Sequence, residues 1–323
     1  MLEPAPFHAN LAQGPEGSRA YWLHAADGVR IRVGVFACEQ ARGTVLLFPG
    51  RTEYVEKYGR TAADFVARGY TVLAIDWRGQ GLADRLLHND RIGHVDHFTD
   101  FQKDVDAALH AAVTLNLPRP WHLMAHSMGG AIGLRAAMRG IAVASAVFTG
   151  PMWGIQISAL MRPAAWALSW GGAKVGLGHK IAPGTKSDSY VASEPFEGNT
   201  LTTDREMFEY MRAQVLAEPS LQLGGPSLRW LNEALADCRT LAGRASPDLP
   251  CLTFVGSNER IVDTDRIRDR MAHWPGGRLE LIAGGEHEVL MEGPQVRAHI
   301  ADSAVALFDA ARGHDGNGTA ISA

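Results

Sequence analysis

The sequence predicts a protein of the α/β class, in which helices cover both faces of a mostly parallel central sheet. Three observations support this prediction: short apolar runs recur along the chain, segments of helical spacing lie between them, and 323 residues with 46% hydrophobic content suffice for a large core. Continuous apolar runs are typical of strands buried on both faces. Strands that alternate with helices favour parallel pairing.

The first half of the chain contains most of the predicted strands. Residues 21–36 predict two strands around the turn signal Asp27-Gly28, and residues 44–48 and 70–75 predict two buried strands. Further strands are predicted at 121–125 and 144–149, and helices at 56–68, 98–115 and 128–138. In such sheets the functional groups gather in the loops that follow the strands.

Residues 151–245 interrupt this alternation, because they are rich in Trp and Met, carry Gly and Pro, and contain no clear strand. We therefore predict a helical cap inserted between two sheet strands. The alternation returns with strands at 251–255 and 278–282 and helices at 264–273 and 294–311. The predicted core thus comprises residues 1–150 and 246–312, and the small, polar residues 313–323 predict a flexible tail.

Composition narrows the class of protein and its compartment. A total of 31 Lys and Arg against 35 Asp and Glu, for a formal net charge of −4, argues against a nucleic-acid partner. The three cysteines, Cys38, Cys238 and Cys251, show no CxxC spacing and favour a reduced compartment. The N-terminus lacks a basic and then apolar leader, and the most apolar window, 152–172, is interrupted by polar residues. We therefore expect a cytoplasmic protein.

The sharpest motif is Ala125-His-Ser127-Met-Gly129, between a predicted strand and a predicted helix. A serine on such a tight turn exposes its hydroxyl group, and the helix N-terminus lies under any negative charge that develops there. The turn needs small residues two before and two after the serine, and Ala125 and Gly129 meet this need. Ser127 is therefore the candidate nucleophile.

A serine nucleophile needs a general base and a carboxylate that orients the base. His287 follows the strand at 278–282 in a loop flanked by glycines, and it is the candidate base. Glu259 and Asp263 both follow the strand at 251–255. Glu259 lies at the tip of the loop and is preferred, whereas Asp263 is also explained as the N-cap of the next helix.

The backbone provides the candidate oxyanion hole. The N–H group of Met128, the residue after the nucleophile, is one predicted donor. The second donor should come from the loop after the strand at 44–48, and there Pro49 has no N–H group, so Arg51 is the predicted donor. No metal or cofactor is predicted: His94 and His97 lie in a run that lacks the first histidine of a metal-ligand pattern.

These motifs resemble the α/β-hydrolase superfamily, in particular its lysophospholipase and monoacylglycerol lipase-like branch. The matching stretches are residues 48–58, 76–81, 93–98, 125–130 and 149–153, with the loops that hold Glu259 and His287. The resemblance implies the α/β-hydrolase fold, a Ser127-acid-His287 triad and an acyl-ester substrate under a mobile cap. Trp153, Met152 and Trp166 of the apolar cap are the candidate substrate-binding residues.

We therefore predict a serine ester hydrolase that cleaves a small lipid-like ester, a lysophospholipid or a monoacylglycerol, through an acyl-enzyme. Two alternatives stay open: an acyltransferase on the same triad, and a non-catalytic receptor for a small ligand on the same fold. Residues 107–187 contain seven basic and no acidic side chains, a net charge of +7 against −11 for the rest of the chain. This asymmetry predicts a cationic rim at the pocket and transient contact between the cap and the inner membrane surface.

Overall fold

The computed structural model describes residues 2–157, 167, 170–172 and 174–311. In this part of the chain the strands are β1 Glu3–Ala5, β2 Arg19–His24, β3 Arg30–Phe36, β4 Thr44–Phe48, β5 Thr71–Asp76, β6 Trp121–His126, β7 Ala146–Thr149, β8 Cys251–Gly256 and β9 Arg278–Ile282. They form one sheet in the order β1-β2-β3-β5-β4-β6-β7-β8-β9. The pairs from β1 to β3 and the pair β3-β5 are antiparallel, and all pairs from β5 to β9 are parallel.

Helices cover both faces of the sheet, as predicted. They are α1 Ala9–Ala12, α2 Gly59–Val66, α3 Phe101–Thr114, α4 Met128–Met138, α5 Tyr190–Ser193, α6 Arg205–Ala217, α7 Leu228–Ala242, α8 Thr264–Ala272 and α9 Pro294–Ala311. Short 3-10 helices occupy Val55–Tyr58, Phe98–Asp100, Pro219–Leu221 and Val289–Met291. No helix in these described residues has the length and apolar character that a membrane crossing needs.

Strand β4 illustrates how the chain builds two cores. Leu46 and Phe48 pack into the core that also holds α3, α4 and α8, whereas Val45 and Leu47 pack into the core that holds α2 and α9. Side chains alternate between the two faces of a strand, so a continuous apolar run serves both cores. This is why the parallel strands could be predicted from short apolar runs.

Two elements near the N-terminus were not predicted. β1 contains Pro4 and is held by its pairing with β2 at the edge of the sheet, where a proline costs no ladder hydrogen bond. α1 has a single turn. Two predicted helices, 56–68 and 98–115, begin as 3-10 turns and continue as α2 and α3.

The segment between β7 and β8 contains helices and turns but no strand of the sheet within its described residues. α7, which falls inside the predicted cap, packs Trp230, Ala234 and Leu241 into the core beneath α4. This part of the segment is therefore anchored to the sheet layer. The division into a core, a cap at 151–245 and a tail stays a prediction, and the predicted tail at 313–323 lies outside the described residues.

Candidate active site

Ser127 occupies a strained turn between β6 and α4. Its backbone has φ 49° and ψ −117°, a conformation that L-residues rarely adopt. The turn is held by its own peptide groups: the N–H of Ser127 donates to the carbonyl of Thr149 (3.1 Å), and its carbonyl accepts from the N–H groups of Gly130 and Met152 (both 2.8 Å). Ser127 thereby lies at the carboxyl edge of the sheet, in the wall of a cavity.

The small residues around Ser127 have identifiable causes. A Cβ atom at position 129 would overlap the carbonyl oxygens of Phe48 and Pro49, so only glycine fits there. The methyl group of Ala125 faces Gly133 on α4, where a Cβ atom would lie 3.1 Å away. The absence of a side chain at Gly133 therefore makes room for the extra methyl group of Ala125.

The structure brings Ser127, His287 and Glu259 into one chain of hydrogen bonds. Nδ1 of His287 lies 2.6 Å from Oε2 of Glu259, and Nε2 of His287 lies 2.9 Å from Oγ of Ser127. An ionised carboxylate only accepts hydrogen bonds, so Nδ1 carries the proton and Nε2 is the acceptor for the Ser127 hydroxyl group. This arrangement can remove a proton from Ser127 and hold the imidazolium that results.

The carboxylate of Glu259 is fixed by the backbone as well as by the histidine. Its Oε1 accepts hydrogen bonds from the N–H groups of Ile261 (2.6 Å) and Val262 (3.1 Å). Burial would raise the pKa of Glu259, but the hydrogen bond and charge of His287 together with these two N–H groups lower the pKa below its ordinary value. Glu259 is therefore ionised in the resting site.

Asp263, the alternative acid, has a different position. It precedes α8, and its side chain accepts hydrogen bonds from the N–H groups of Asp265 (3.2 Å) and Arg266 (3.3 Å). These are the bonds of a helix N-cap. Of the two carboxylates, the structure brings only Glu259 to His287.

Arg51, on the loop after β4, lines the same cavity as Ser127. Within the described residues, no acceptor hydrogen-bonds the backbone N–H of Arg51 or that of Met128 at the start of α4. The loop is held from below, because Gln80 donates to the carbonyls of Gly50 (2.7 Å) and Glu53 (2.9 Å). Two unengaged N–H groups near a nucleophile are the donors that an oxyanion requires.

A buried group of charges supports this loop. The side chain of Glu53 folds back to accept a hydrogen bond from the N–H of Gly50 and another from the hydroxyl of Tyr58 (2.6 Å). Lys57 donates to Glu53 (2.7 Å) and to Glu288 (2.6 Å), the residue after His287. We call Glu53, Lys57 and Glu288 the buried bridge, because they connect the Arg51 loop to the His287 loop.

The described residues include one group that could hold a metal ion, formed by Glu53, His126 and Glu288. The ammonium group of Lys57 contacts both of its carboxylates and supplies the positive charge that they need. The other histidines considered, in the 93–97 run, have structural contacts: His94 bonds Ser227 (2.8 Å) and lies 3.3 Å from Asp96. Neither arrangement points to a metal.

The cavity beside Ser127 has a volume of about 430 Å³. Its wall combines the Arg51 loop, Ser127 and the His287 loop with residues between 184 and 225. Its apolar lining is contributed by Tyr54, Val191, Leu201, Met211, Val215, Leu223 and Ile261. Lys186 lines the cavity together with Asp188 and Glu194, so the wall carries both signs of charge where the sequence predicted a cationic rim.

The cavity wall does not include two of the three predicted substrate-binding residues. Trp153 is buried against Phe148 and Trp274, and its indole N–H donates to the carbonyl of Gly130 (3.1 Å). Met152 is buried, and its backbone carbonyl accepts from the thiol of Cys238 (3.3 Å). Both residues thus support the Ser127 turn from behind. Trp166 lies outside the described residues.

Sequence reasoning missed the buried bridge and the contribution of the segment after β7. The carbonyls of Thr200 and Leu201 accept hydrogen bonds from the N–H groups of His287 (3.3 Å) and Glu288 (2.7 Å). The charged residues Glu53, Glu56 and Lys57, which follow the apolar run 44–48 within ten positions, were the available signal for the bridge. The Thr200 contact had no local signal.

Comparisons with known proteins identify the family of the chain. Residues 39–294 match the model of the Hydrolase_4 family, described as "Serine aminopeptidase, S33". The chain is 33% identical over 304 residues to lysophospholipase L2 of Escherichia coli (strain K12), covering 90% of this chain and 87% of that protein. It is 29% identical over 265 residues to the probable lysophospholipase L2 of Haemophilus influenzae, covering 81% and 82% of the two chains.

Among solved structures, a soluble variant of monoglyceride lipase from Saccharomyces cerevisiae in complex with a substrate analogue superimposes with a TM-score of 0.70 at 19% identity. The match covers 90% of this chain and 94% of the yeast chain, and it establishes the fold. The resemblance to the lysophospholipase and monoacylglycerol lipase-like branch is therefore confirmed. The chain belongs to the Hydrolase_4 family, and it is an α/β-hydrolase of the carboxylic-ester hydrolase class.

Proposed function

We propose that the protein hydrolyses the carboxylic ester of a lysophospholipid or a monoacylglycerol through an acyl-enzyme on Ser127. The observation that carries this proposal is the chain of hydrogen bonds from Ser127 through His287 to Glu259 in the cavity wall. The relatives support a lipid ester, since one is named a lysophospholipase and another a monoglyceride lipase. The cavity volume of about 430 Å³ is in the usual range of small-molecule sites.

In the acylation step, Oγ of Ser127 attacks the ester carbonyl carbon while its proton moves to Nε2 of His287. Glu259 keeps the ring in the tautomer that accepts this proton, and its negative charge stabilises the imidazolium. The C=O bond of the ester opens to an oxyanion. The N–H groups of Met128 and Arg51 donate to that oxygen, and the positive end of the α4 dipole faces it.

The tetrahedral intermediate collapses when His287 returns the proton to the leaving alcohol, which leaves the acyl group on Ser127. Water then takes the place of the alcohol. His287 removes a proton from this water while the water oxygen attacks the acyl carbon. His287 then returns the proton to Oγ of Ser127 as the bond between Oγ and the acyl carbon breaks and the fatty acid leaves. The same residues thus act in both halves of the reaction.

The direct test is labelling of the purified protein with a fluorophosphonate probe, followed by turnover of lysophospholipid, monoacylglycerol and p-nitrophenyl esters of matched chain length. We expect labelling of the wild type and none of Ser127→Ala. Equal labelling of both proteins, or no ester turnover by the wild type, would contradict the proposal. Turnover of an amino-acid p-nitroanilide above that of every ester would instead favour the peptidase activity in the family's description.

The same assay separates a hydrolase from the acyltransferase alternative. Glycerol is added in increasing concentration, and the fatty acid and the new ester are quantified together. A hydrolase releases fatty acid as the main product at every glycerol concentration. A new ester as the main product at low glycerol would identify an acyltransferase, because deacylation would then prefer the alcohol to water.

We also propose that an exposed apolar surface of the segment after β7 contacts an anionic membrane at the cytoplasmic face. Trp170, Val175 and Leu177 are 59%, 70% and 46% exposed, and the side chain of Lys174 beside them is exposed as well. Apolar groups next to a lysine suit the boundary between head groups and acyl chains.

Co-sedimentation with phosphatidylglycerol vesicles tests this contact. Trp170→Ser should weaken binding most, and Lys174→Gln should weaken it about 5-fold at low salt. Val113→Ser is the matched control, because Val113 is 53% exposed on α3 and is not part of this surface. Equal binding by all four proteins would contradict the proposal.

A further inference from the structure

Arg51 is a cation of the cavity wall whose guanidinium group has few protein partners. One of its nitrogens, Nη1, donates to the carbonyl of Gly224 (2.6 Å), and its guanidinium carbon lies 5.8 Å from the ring centroid of Trp230. In the described part of the chain, Arg51 forms no ion pair and no other side-chain hydrogen bond. A guanidinium group has five N–H donors, so most of those of Arg51 have no protein acceptor.

The two other cations that line the cavity are neutralised by carboxylates. Lys57 contacts Glu53 and Glu288, and Lys186 contacts Glu194 at 2.6 Å. Arg51 is thus the one cavity-lining cation, within the described residues, whose charge no protein carboxylate balances. Burial lowers the pKa of Arg51 to about 10, so the group is still charged at neutral pH.

The position of Arg51 also relates its side chain to the reacting ester. The backbone N–H of Arg51 is a proposed donor to the oxyanion, and the side chain of the same residue carries the guanidinium group in the wall of the same cavity. In a lysophospholipid, the glycerol backbone separates the acylated oxygen from the phosphate, and both leave together as the alcohol. A planar guanidinium group with free donors matches the oxygens of a phosphate, whereas the hydroxyl group of a monoacylglycerol offers no charge.

We propose that the Arg51 side chain binds the phosphate of a lysophospholipid and thereby makes the enzyme prefer lysophospholipids to monoacylglycerols. This inference rests on the proposed function, because it assigns one of that function's two substrates. Gly224 and Trp230 hold the guanidinium group in place, so that its remaining N–H groups are presented to the ligand.

The first experiment measures binding without catalysis. Two ether lipids that cannot be hydrolysed, a 1-O-alkylglycerol and the corresponding 1-O-alkyl-glycerol 3-phosphate, are titrated into the wild type and Arg51→Gln in neutral detergent micelles. We expect the wild type to bind the phosphate lipid more tightly, and we expect Arg51→Gln to lose about 10- to 100-fold of that preference. Arg51→Lys keeps the charge but loses the planar fork, and it should retain part of the preference.

The second experiment compares kcat/KM for a lysophospholipid with kcat/KM for a monoacylglycerol of the same chain length. The ratio of the two values should fall about 10- to 100-fold in Arg51→Gln. Lys186→Gln is the matched control, because it removes a cavity cation that Glu194 already neutralises, and its ratio should stay within about 2-fold of the wild type. Thermal unfolding of each variant verifies that it is folded.

The outcomes distinguish a failure of the role of Arg51 from a failure of the proposed ester hydrolysis. An unchanged binding preference in both Arg51 variants, or a loss as large in Lys186→Gln, overturns the role of Arg51. Competition by inorganic phosphate that depends on Arg51, without any preference for the phosphate lipid, identifies a site for free phosphate and also overturns it. If binding of the phosphate lipid depends on Arg51 but the wild type turns over no ester, the phosphate site is supported and the proposed function is overturned.

Discussion

The two sides of the cavity are built in different ways. On the inner side, Ser127 and Glu259 follow the fully buried strands β6 and β8, whereas His287 follows the partly exposed edge strand β9. Backbone hydrogen bonds hold the loops that carry these three residues. The outer side, which we call the outer wall, consists of the lining residues between 184 and 225. The outer wall combines largely exposed turns and the single-turn helix α5 with the buried side of the longer helix α6. Strand ends hold the three candidate catalytic groups, and the outer wall shapes the rest of the cavity.

The outer wall is nevertheless attached by backbone hydrogen bonds, both to the loop at residues 91–93 and to the His287 loop of the inner side. Gly93 donates to the carbonyl of Gly225 (3.1 Å), and Gly224 donates to that of Arg91 (2.8 Å). The carbonyl of Thr200 accepts from the N–H of His287, as described above. The two sides therefore differ in how firmly hydrogen bonds hold them, and substitutions on each side can measure how much each contributes to activity and stability.

The largest effect is expected from Ser127→Ala on the inner side. Loss of the nucleophile should lower kcat by about 10⁴-fold or more, while the melting temperature changes little because the turn is held by backbone groups. Ester turnover and thermal unfolding measure the two quantities. A large loss of stability would indicate that the Ser127 side chain also supports the turn.

Glu259→Gln should be the next most severe change. It removes the negative charge beside Nδ1 of His287. An amide whose oxygen keeps the hydrogen bonds from Ile261 and Val262 turns its NH₂ group towards Nδ1 and favours the wrong tautomer, so kcat should fall by about 10³- to 10⁴-fold. Asp263→Ala is the comparison variant, because its carboxylate caps α8 and its loss should cost about 1 kcal/mol of stability with little change in kcat. If only Asp263→Ala abolished turnover, Glu259 would not be the acid.

Glu53→Gln tests the buried bridge. An amide cannot accept from Gly50, Tyr58 and Lys57 at once, so the Arg51 loop should shift and kcat should fall about 10- to 100-fold. The value of KM should stay within about 2-fold. Asp237→Asn is the control, since Asp237 is a buried carboxylate paired with Arg135. If kcat fell equally in both variants, the buried bridge would only stabilise the fold and would not position the Arg51 loop.

Asn199→Ala tests whether the outer wall positions His287. The Asn199 side chain accepts from the N–H groups of Leu201 (2.8 Å) and Thr202 (3.0 Å) and so shapes the turn whose carbonyls bond the His287 loop. We expect a decrease in kcat of about 3- to 10-fold and a loss of about 1 kcal/mol of stability. A change in KM alone would mean that the outer wall acts only on substrate binding.

The effect expected of His126 is on stability, and it depends on pH. Burial lowers the pKa of His126 to about 4 although the charge of Glu53 acts against this, whereas the unfolded chain has the ordinary value of 6.5. Its stability contribution is therefore fully present above pH 6.5 and is lost as the pH falls towards 4.

Urea unfolding between pH 4 and pH 7 measures this loss. Relative to His126→Asn, which keeps a donor for the carbonyl of Thr149, the wild type should lose up to about 1.4 kcal/mol per pH unit below pH 6.5. Parallel stability curves for the two proteins would show that His126 does not titrate on unfolding.

The sequence predicts the inner side far better than the outer wall. Strands β4, β6 and β8 were predicted within one residue at either end, because a strand buried on both faces needs a continuous apolar run. The roles of Ser127, His287 and Glu259 stay predictions until they are tested by substitution, but the three positions could be chosen from the residues alone. Each follows a predicted strand, and loops after parallel strands meet at one edge of the sheet.

Met152 and Trp153 are apolar residues whose place in the core the sequence does not indicate. An apolar residue after a strand can enter the substrate space or the core, and its neighbours in sequence do not distinguish the two. The packing of Trp153 against Trp274, 121 residues later in the chain, decides for the core. For the same reason, the charge of Lys186 could not be interpreted before Glu194 was seen to pair with it.

The sequence by itself determined the order of strands and helices and the loops that carry the candidate catalytic groups, because hydrophobic periodicity and turn residues are local properties of the chain. Only the tertiary structure decided which carboxylate reaches His287, which charges are balanced, and which residues face the cavity. Those properties depend on contacts between distant segments, as in the buried bridge, where Lys57 and Glu288 lie 231 positions apart. The unbalanced charge of Arg51 became visible only when those contacts were known.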